Sequence, residues 1–158
     1  YKMDVLELIW SRLPYTLRLG GIGFLLIFVL SLGLGVLCAW KEGSVFDRVC
    51  CRVGTAMSCV PEFWLSLILI LIFAVQLRWL PSSGAYRVGS AGGFSDRARH
   101  LVLPVTVVVL GHLWYYAYLV RNRLLEELRA DYVLLAKGKG LGGRRVLLRH
   151  CLLENIKL

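Results

Sequence analysis

Charged side chains are scarce in this sequence. Asp, Glu, Lys and Arg make up 18% of the 158 residues, against ~25% in soluble domains. Apolar residues make up 58%, against ~45–50% in soluble domains. The apolar residues form long runs separated by short basic connections, so the composition indicates a helical membrane protein.

Motifs for nucleotide binding or covalent chemistry are also lacking. The sequence contains no GxxxxGK[ST] phosphate loop, no HExxH zinc motif and no GxSxG nucleophile elbow. Its five cysteines fall in no CxxC pair, which argues against a metal site, and we expect free thiols. These absences predict a chain without a cofactor, a metal or a catalytic activity of its own.

Three charge-poor runs, 19–40, 53–77 and 101–120, are predicted to span the membrane as helices. About 20 residues at ~1.5 Å per residue cross ~30 Å of hydrocarbon. Pro61 lies near the start of the second run, where it either begins a helix or kinks one. Small residues allow helices to approach closely in lipid, and the first run has several glycines: Gly20, Gly21, Gly23, Gly33 and Gly35.

The basic connections predict the orientation of these spans. The segment 121–149 carries the most Lys and Arg, so the positive-inside rule places it in the cytoplasm. With three spans, 41–52 then lies inside and 78–100 outside. The net charge of +9 sits between apolar runs, which argues against a nucleic-acid partner.

The basic segment 121–150 has a helical spacing of apolar residues, interrupted by glycines. Asp131 is a candidate cap of a short helix beginning at Tyr132, and 144–153 is predicted to form a second one. Such an amphipathic pair can bind a partner protein or lie on lipid headgroups, and the pattern alone does not separate these alternatives.

Two ionisable residues lie in or near the predicted spans. His112 is the one such residue deep in a span, and intramembrane ionisable groups are candidates for a transport pathway. A neutral histidine bonded to a neighbouring helix is the alternative. Glu62 is a second pathway candidate, although its position also suits a carboxylate at a helix start or at the membrane interface.

Several short motifs resemble binding-protein-dependent ABC importer permeases of the dipeptide, oligopeptide and nickel branch. The cytoplasmic signature is similar at Asp131-Tyr132-Val133, Ala136, Lys139-Gly140-Leu141 and 144–150. Further similar pieces follow in the family order at 16–19, 61–65, 79–84 and 100–104. One departure is Glu154, where the family usually has Asn.

The resemblance implies an all-α, polytopic transmembrane helical bundle. It implies a partial ABC importer permease domain in the bacterial inner membrane, because the family usually has more than the three spans predicted here. The segment 121–150 would then contain a coupling helix pair, and the residues expected to contact the ATPase are Asp131, Leu135, Ala136, Gly140, Arg144 and Arg145.

The resemblance also implies function and partners. The chain would be a permease subunit carrying peptides, nickel or a related small solute. It would work with a second permease, cytoplasmic ATP-binding subunits that hydrolyse ATP, and an extracytoplasmic solute-binding protein. The alternative is an integral-membrane enzyme, or another polytopic membrane protein with a basic amphipathic cytoplasmic loop.

Overall fold

The computed structural model describes residues 5–85 and 93–130, and the regular structure within these ranges is entirely helical. Four α-helices follow one another, namely α1 (Val5–Trp40), α2 (Val45–Ser58), α3 (Glu62–Leu69) and α4 (Phe94–Leu128). A π-helical stretch, Ile70–Gln76, continues α3. The predicted all-α class is confirmed.

Helices α1 and α4 are long and apolar enough to cross a membrane. They have 36 and 35 residues, or about 50 Å each at ~1.5 Å per residue. The predicted segments 19–40 and 101–120 lie inside them. The membrane boundaries of these segments remain predictions.

The second predicted segment, 53–77, contains a sharp break. Helix α2 and the helix of α3 with its π-helical continuation, Glu62–Gln76, meet at 98°. Pro61 is the N-cap of α3 with extended backbone angles, φ −64° and ψ 136°, so the proline begins a new helix. If this bent pair counts as one span, the described residues contain up to three spans.

Many large apolar side chains face outward, as membrane helices require. Phe24 is 71% exposed, Leu25 62% and Leu67 60%, whereas Asp47 is 2% exposed. A soluble protein of this size rarely exposes so much contiguous apolar surface, whereas lipid or neighbouring helices would cover it.

The chain divides into two compact units, each with its own apolar cluster. The first comprises the described parts of Tyr1–Val29 and Ala56–Leu113, with Ile27, Val105 and Val109 buried together. The second comprises the described parts of Leu30–Thr55 and Trp114–Leu158, with Ala39, Leu124 and Leu125 buried together.

Among the α1 glycines, Gly35 makes the closest approach to another helix. A Cβ at this position would lie 2.7 Å from both the carbonyl oxygen of Ala117 and the Cβ of Val120 on α4. Gly23 has ordinary clearance, since its added Cβ would lie 3.4 Å from Val108, and nothing lies within 4 Å at Gly20, Gly21 or Gly33. Among the α1 glycines, close packing against α4 therefore depends chiefly on Gly35.

Candidate functional site

The first unit brings together the two candidate pathway residues, Glu62 and His112. Glu62 is the first residue of α3, directly after the break at Pro61, and His112 lies near the middle of α4. Glu62 Oε1 lies 3.3 Å from His112 Nδ1, and the side chains are 53% and 45% exposed. The same ring nitrogen lies 3.0 Å from the carbonyl oxygen of Val108 one turn earlier. The His112 ring therefore contacts both the backbone of its own helix and a carboxylate on α3, and its role in a transport pathway remains a prediction.

Gly111 makes room for this contact. A Cβ on residue 111 would lie 2.7 Å from Glu62 Oε1 and 3.1 Å from its Cδ. The carboxylate therefore lies against the backbone of α4, beside the imidazole. The result is a polar pair at a helix break, which is where discontinuous membrane helices commonly form substrate or ion sites in transporters.

The second unit contains a buried ion pair between Asp47 of α2 and Arg121 of α4. Arg121 Nε donates to Asp47 Oδ1 at 2.6 Å, and Arg121 Nη2 donates to Oδ2 at 2.7 Å. The Asp47 side chain is 3% exposed and that of Arg121 16%. Two parallel hydrogen bonds of this kind fix the relative orientation of both side chains.

The connection between α1 and α2 is organised around the same carboxylate. The Gly43 N–H donates to Asp47 Oδ2 at 3.0 Å, and the Asp47 N–H donates to the hydroxyl of Ser44 at 3.2 Å. Gly43 has φ +73°, a conformation in which glycine has no side-chain clash. A second ion pair, between Glu42 Oε1 and Arg129 Nη2 at 2.6 Å, joins this connection to the residues just after α4.

These contacts place two predicted cytoplasmic connections at one end of the second unit. Asp47 belongs to 41–52, and Arg121 begins the basic segment 121–149. The predicted orientation requires both connections to lie on the same side of the membrane, and their contact agrees with that requirement. The orientation itself remains a prediction.

The predicted coupling residues fall outside the described ranges. All six of them lie beyond Ala130: Asp131, Leu135, Ala136, Gly140, Arg144 and Arg145. Their role therefore remains a prediction from sequence. The described chain ends beside the Glu42–Arg129 contact, immediately before the first of them.

Comparison with known proteins identifies the family. A family model described as "Binding-protein-dependent transport system inner membrane component" matches residues 31–152, which is more than half of the chain. The chain belongs to this family. Binding-protein-dependent inner-membrane components are transport permeases rather than a family of catalytic enzymes, and the chain is accordingly a multi-pass inner-membrane protein.

Curated relatives of this permease include proteins of bacterial peptide transport systems. It is 34% identical to the oligopeptide transport system permease protein AppB of Bacillus subtilis over 92% of this chain and 46% of the relative. It is 36% identical to the di/tripeptide transport system permease protein DppB of Pseudomonas aeruginosa over 88% of this chain and 47% of the relative. It is 30% identical to the oligopeptide transport system permease protein OppB of Escherichia coli over 94% of this chain and 46% of the relative. The chain spans about half the length of these relatives.

Sequence reasoning missed the Asp47–Arg121 pair in this permease. One local signal was available, because Ser44 and Asp47 have the spacing of a helix-start capping box. The sequence did not indicate which residue pairs with Asp47. Arg121 is 74 residues away, and nothing in the sequence distinguishes it from the other basic residues of its segment. A pairing at that separation depends on how α2 and α4 pack.

Proposed function

We propose that this chain forms part of the permease subunit of a bacterial ABC importer for peptides. The supporting observation is the family match over 31–152 together with relatives named for oligopeptide and di/tripeptide transport. The family resemblance also implied nickel or a related small solute as an alternative to peptides. The relatives described above are named for peptide systems, so the proposal is narrowed to peptides.

The permease would act with three kinds of partner. A second permease would complete the pathway, cytoplasmic ATP-binding subunits would hydrolyse ATP, and an extracytoplasmic binding protein would deliver the peptide. The chain itself would transmit movement from the ATPase and would supply polar groups to the pathway. Its segment 131–150 would dock on the ATPase, with Leu135 and Ala136 on the docking face and Gly140 in the turn.

Glu62 and His112 would line the pathway in this scheme. Peptides carry an ammonium group and many amide groups, and these need hydrogen-bonding partners away from bulk water. A carboxylate and an imidazole in contact supply both a negative charge and a polar ring. Their position at a helix break supports this role, because backbone and polar groups at such breaks can face a cavity.

Transport in proteoliposomes tests the proposed function. The transporter containing this chain is reconstituted with its second permease and ATPase, and uptake of a labelled di- or tripeptide is measured with and without the binding protein. We expect saturable uptake that requires ATP and the binding protein, and no nucleotide hydrolysis by the purified chain. Saturable peptide uptake by the chain alone would contradict the proposal, as would an assembled transporter that takes up no peptide.

A further inference from the structure

The contact between α4 and the α1–α2 connection involves more than one ion pair. Arg121 and Arg129 are eight residues apart. Arg121 reaches Asp47 in the first turn of α2, and Arg129 reaches Glu42 in the connection before it. Leu125 lies between them in sequence and is buried in a cluster with Ala39 at the end of α1. Residues at i and i+4 share one face of a helix, so that face of α4 carries a buried ion pair at Arg121 and an apolar contact at Leu125. The exposed ion pair of Arg129 follows just after the end of α4.

The buried Asp47–Arg121 pair fixes the geometry of this contact through its hydrogen bonds. Asp47 accepts both hydrogen bonds of the Arg121 fork and also the Gly43 N–H, so its carboxylate links α4 to the backbone of the connection. The Glu42–Arg129 pair is far more open, since its arginine side chain is 72% exposed. Exposed pairs contribute little energy and hold geometry weakly.

A gain in stability does not by itself explain this arrangement. The cost of removing two charges from water can equal or exceed their attraction, and an apolar pair of similar size is often at least as stable. Apolar side chains, however, slide and repack, whereas a two-bond fork holds one orientation. The pair is therefore better suited to keeping α4 and the connection in one fixed arrangement.

The location of the pair makes that fixed arrangement relevant to coupling. The segment proposed to dock on the ATPase starts at Asp131, directly after Ala130. A displacement of that segment reaches α4 first. Because α4 is held to α2 through Arg121 and Asp47 and packs on α1 at Ala39, the displacement would move the three helices of the second unit together rather than bend the end of α4.

We propose that Asp47 and Arg121 are positioning residues that couple movement of the ATPase-docked segment to α1 and α2. This rests on the proposed function and adds a pair of residues outside the docking segment itself. Losing the pair should separate ATP hydrolysis from transport, since the ATPase would still dock while α4 moved without its neighbours.

The test measures peptide uptake and ATP hydrolysis in the same proteoliposomes of the full transporter with its binding protein. The variants are Asp47→Asn, Arg121→Gln, Arg121→Lys and the double variant Asp47→Asn with Arg121→Gln. The readout is peptide transported per ATP hydrolysed, measured after unbound ATPase has been removed so that both quantities report on assembled transporter. Coupling between sites commonly amounts to 5- to 150-fold, so we expect the ratio to fall at least about tenfold in both neutral single variants and in the double variant.

Two controls separate positioning from charge or folding effects. Arg123→Gln removes an exposed arginine of the same helix, whose contact with Glu126 is 3.2 Å long and whose side chain is 72% exposed, and it should keep the wild-type ratio. Arg121→Lys keeps the charge without the two-bond fork, so its ratio should lie between wild type and Arg121→Gln.

Each other outcome counts against the proposal. Ratios in Asp47→Asn and Arg121→Gln that match Arg123→Gln would overturn it. If the double variant kept the wild-type ratio of peptide to ATP, the lower ratios of Asp47→Asn and Arg121→Gln would arise only from one charge being left unpaired. Loss of bound ATPase with an unchanged ratio would assign the pair to assembly alone. A wild-type transporter without ATP-driven uptake would instead contradict the proposed function, and the proposal about this pair with it.

Discussion

The carboxylate of Glu62 occupies the space that a side chain on Gly111 would need. A Cβ there would lie 2.7 Å from Oε1, while the same oxygen lies 3.3 Å from His112 Nδ1. The absence of a side chain at position 111 therefore sets where the carboxylate lies and allows it to reach the imidazole. This relationship gives the pathway proposal a direct test that leaves both polar residues unchanged.

Gly111→Ala should change transport more than stability. The atoms that must move belong to the flexible end of the Glu62 side chain, and Ala favours a helix over Gly by ~1 kcal/mol. We expect a thermal unfolding temperature in detergent at or slightly above wild type and a raised KM for peptide uptake. Gly33→Ala is the control, because nothing lies within 4 Å of an added Cβ there. A KM equal to that of Gly33→Ala would argue against a pathway role for the pair.

Gly35→Ala should destabilise the second unit. The added methyl group would meet the backbone oxygen of Ala117 at 2.7 Å, and a backbone atom cannot move aside as a side chain can. Overpacking of this kind typically costs about 1–3 kcal/mol. Thermal unfolding in detergent should therefore show a lower midpoint than for Gly33→Ala, two residues earlier on the same helix. Equal midpoints would show that α1 and α4 separate at this point without cost.

Gly140→Val should remove ATPase binding while the protein still inserts in the membrane. Glycine fits the turn proposed for residue 140 because it can adopt φ above zero, a conformation that costs a β-branched residue about 1–2 kcal/mol or more. Asp131→Ala should have a smaller effect, because a lost helix cap costs about 1 kcal/mol. The measurement is a pull-down of the ATPase from solubilised membranes at matched permease levels. Normal binding and transport by Gly140→Val would mean that 131–150 does not dock in this way.

The predicted orientation can be read from cysteine accessibility in intact cells. A cysteine introduced at Ser90 should react with an impermeant thiol reagent, and one at Gly142 should not, in a background without the native cysteines. The expectation follows from the basic residues of 121–149. The reverse pattern would invert the orientation and place the Asp47–Arg121 pair on the outer side.

The motif order and the apolar runs were sufficient to predict the helical class, the family and the membrane setting. These properties are local. A run of charge-free residues predicts a membrane helix, and a short signature indicates a family, whatever the positions of the neighbouring helices. The same reasoning identified Glu62 and His112 as polar groups in apolar surroundings. It left open whether Pro61 begins a helix or bends one, because both roles use the same fixed φ.

The sequence by itself determined that this chain is a helical membrane protein of a binding-protein-dependent transport family. The lengths of the hydrophobic runs and the order of the motifs are properties of the sequence that do not depend on how the helices pack. Only the tertiary structure decided which residues meet. It placed Glu62 against Gly111 and His112, and it paired Asp47 with Arg121 across 74 residues. The first contact depends on how α3 and α4 pack in the first unit and the second on how α2 and α4 pack in the second unit, and no spacing within one segment encodes them.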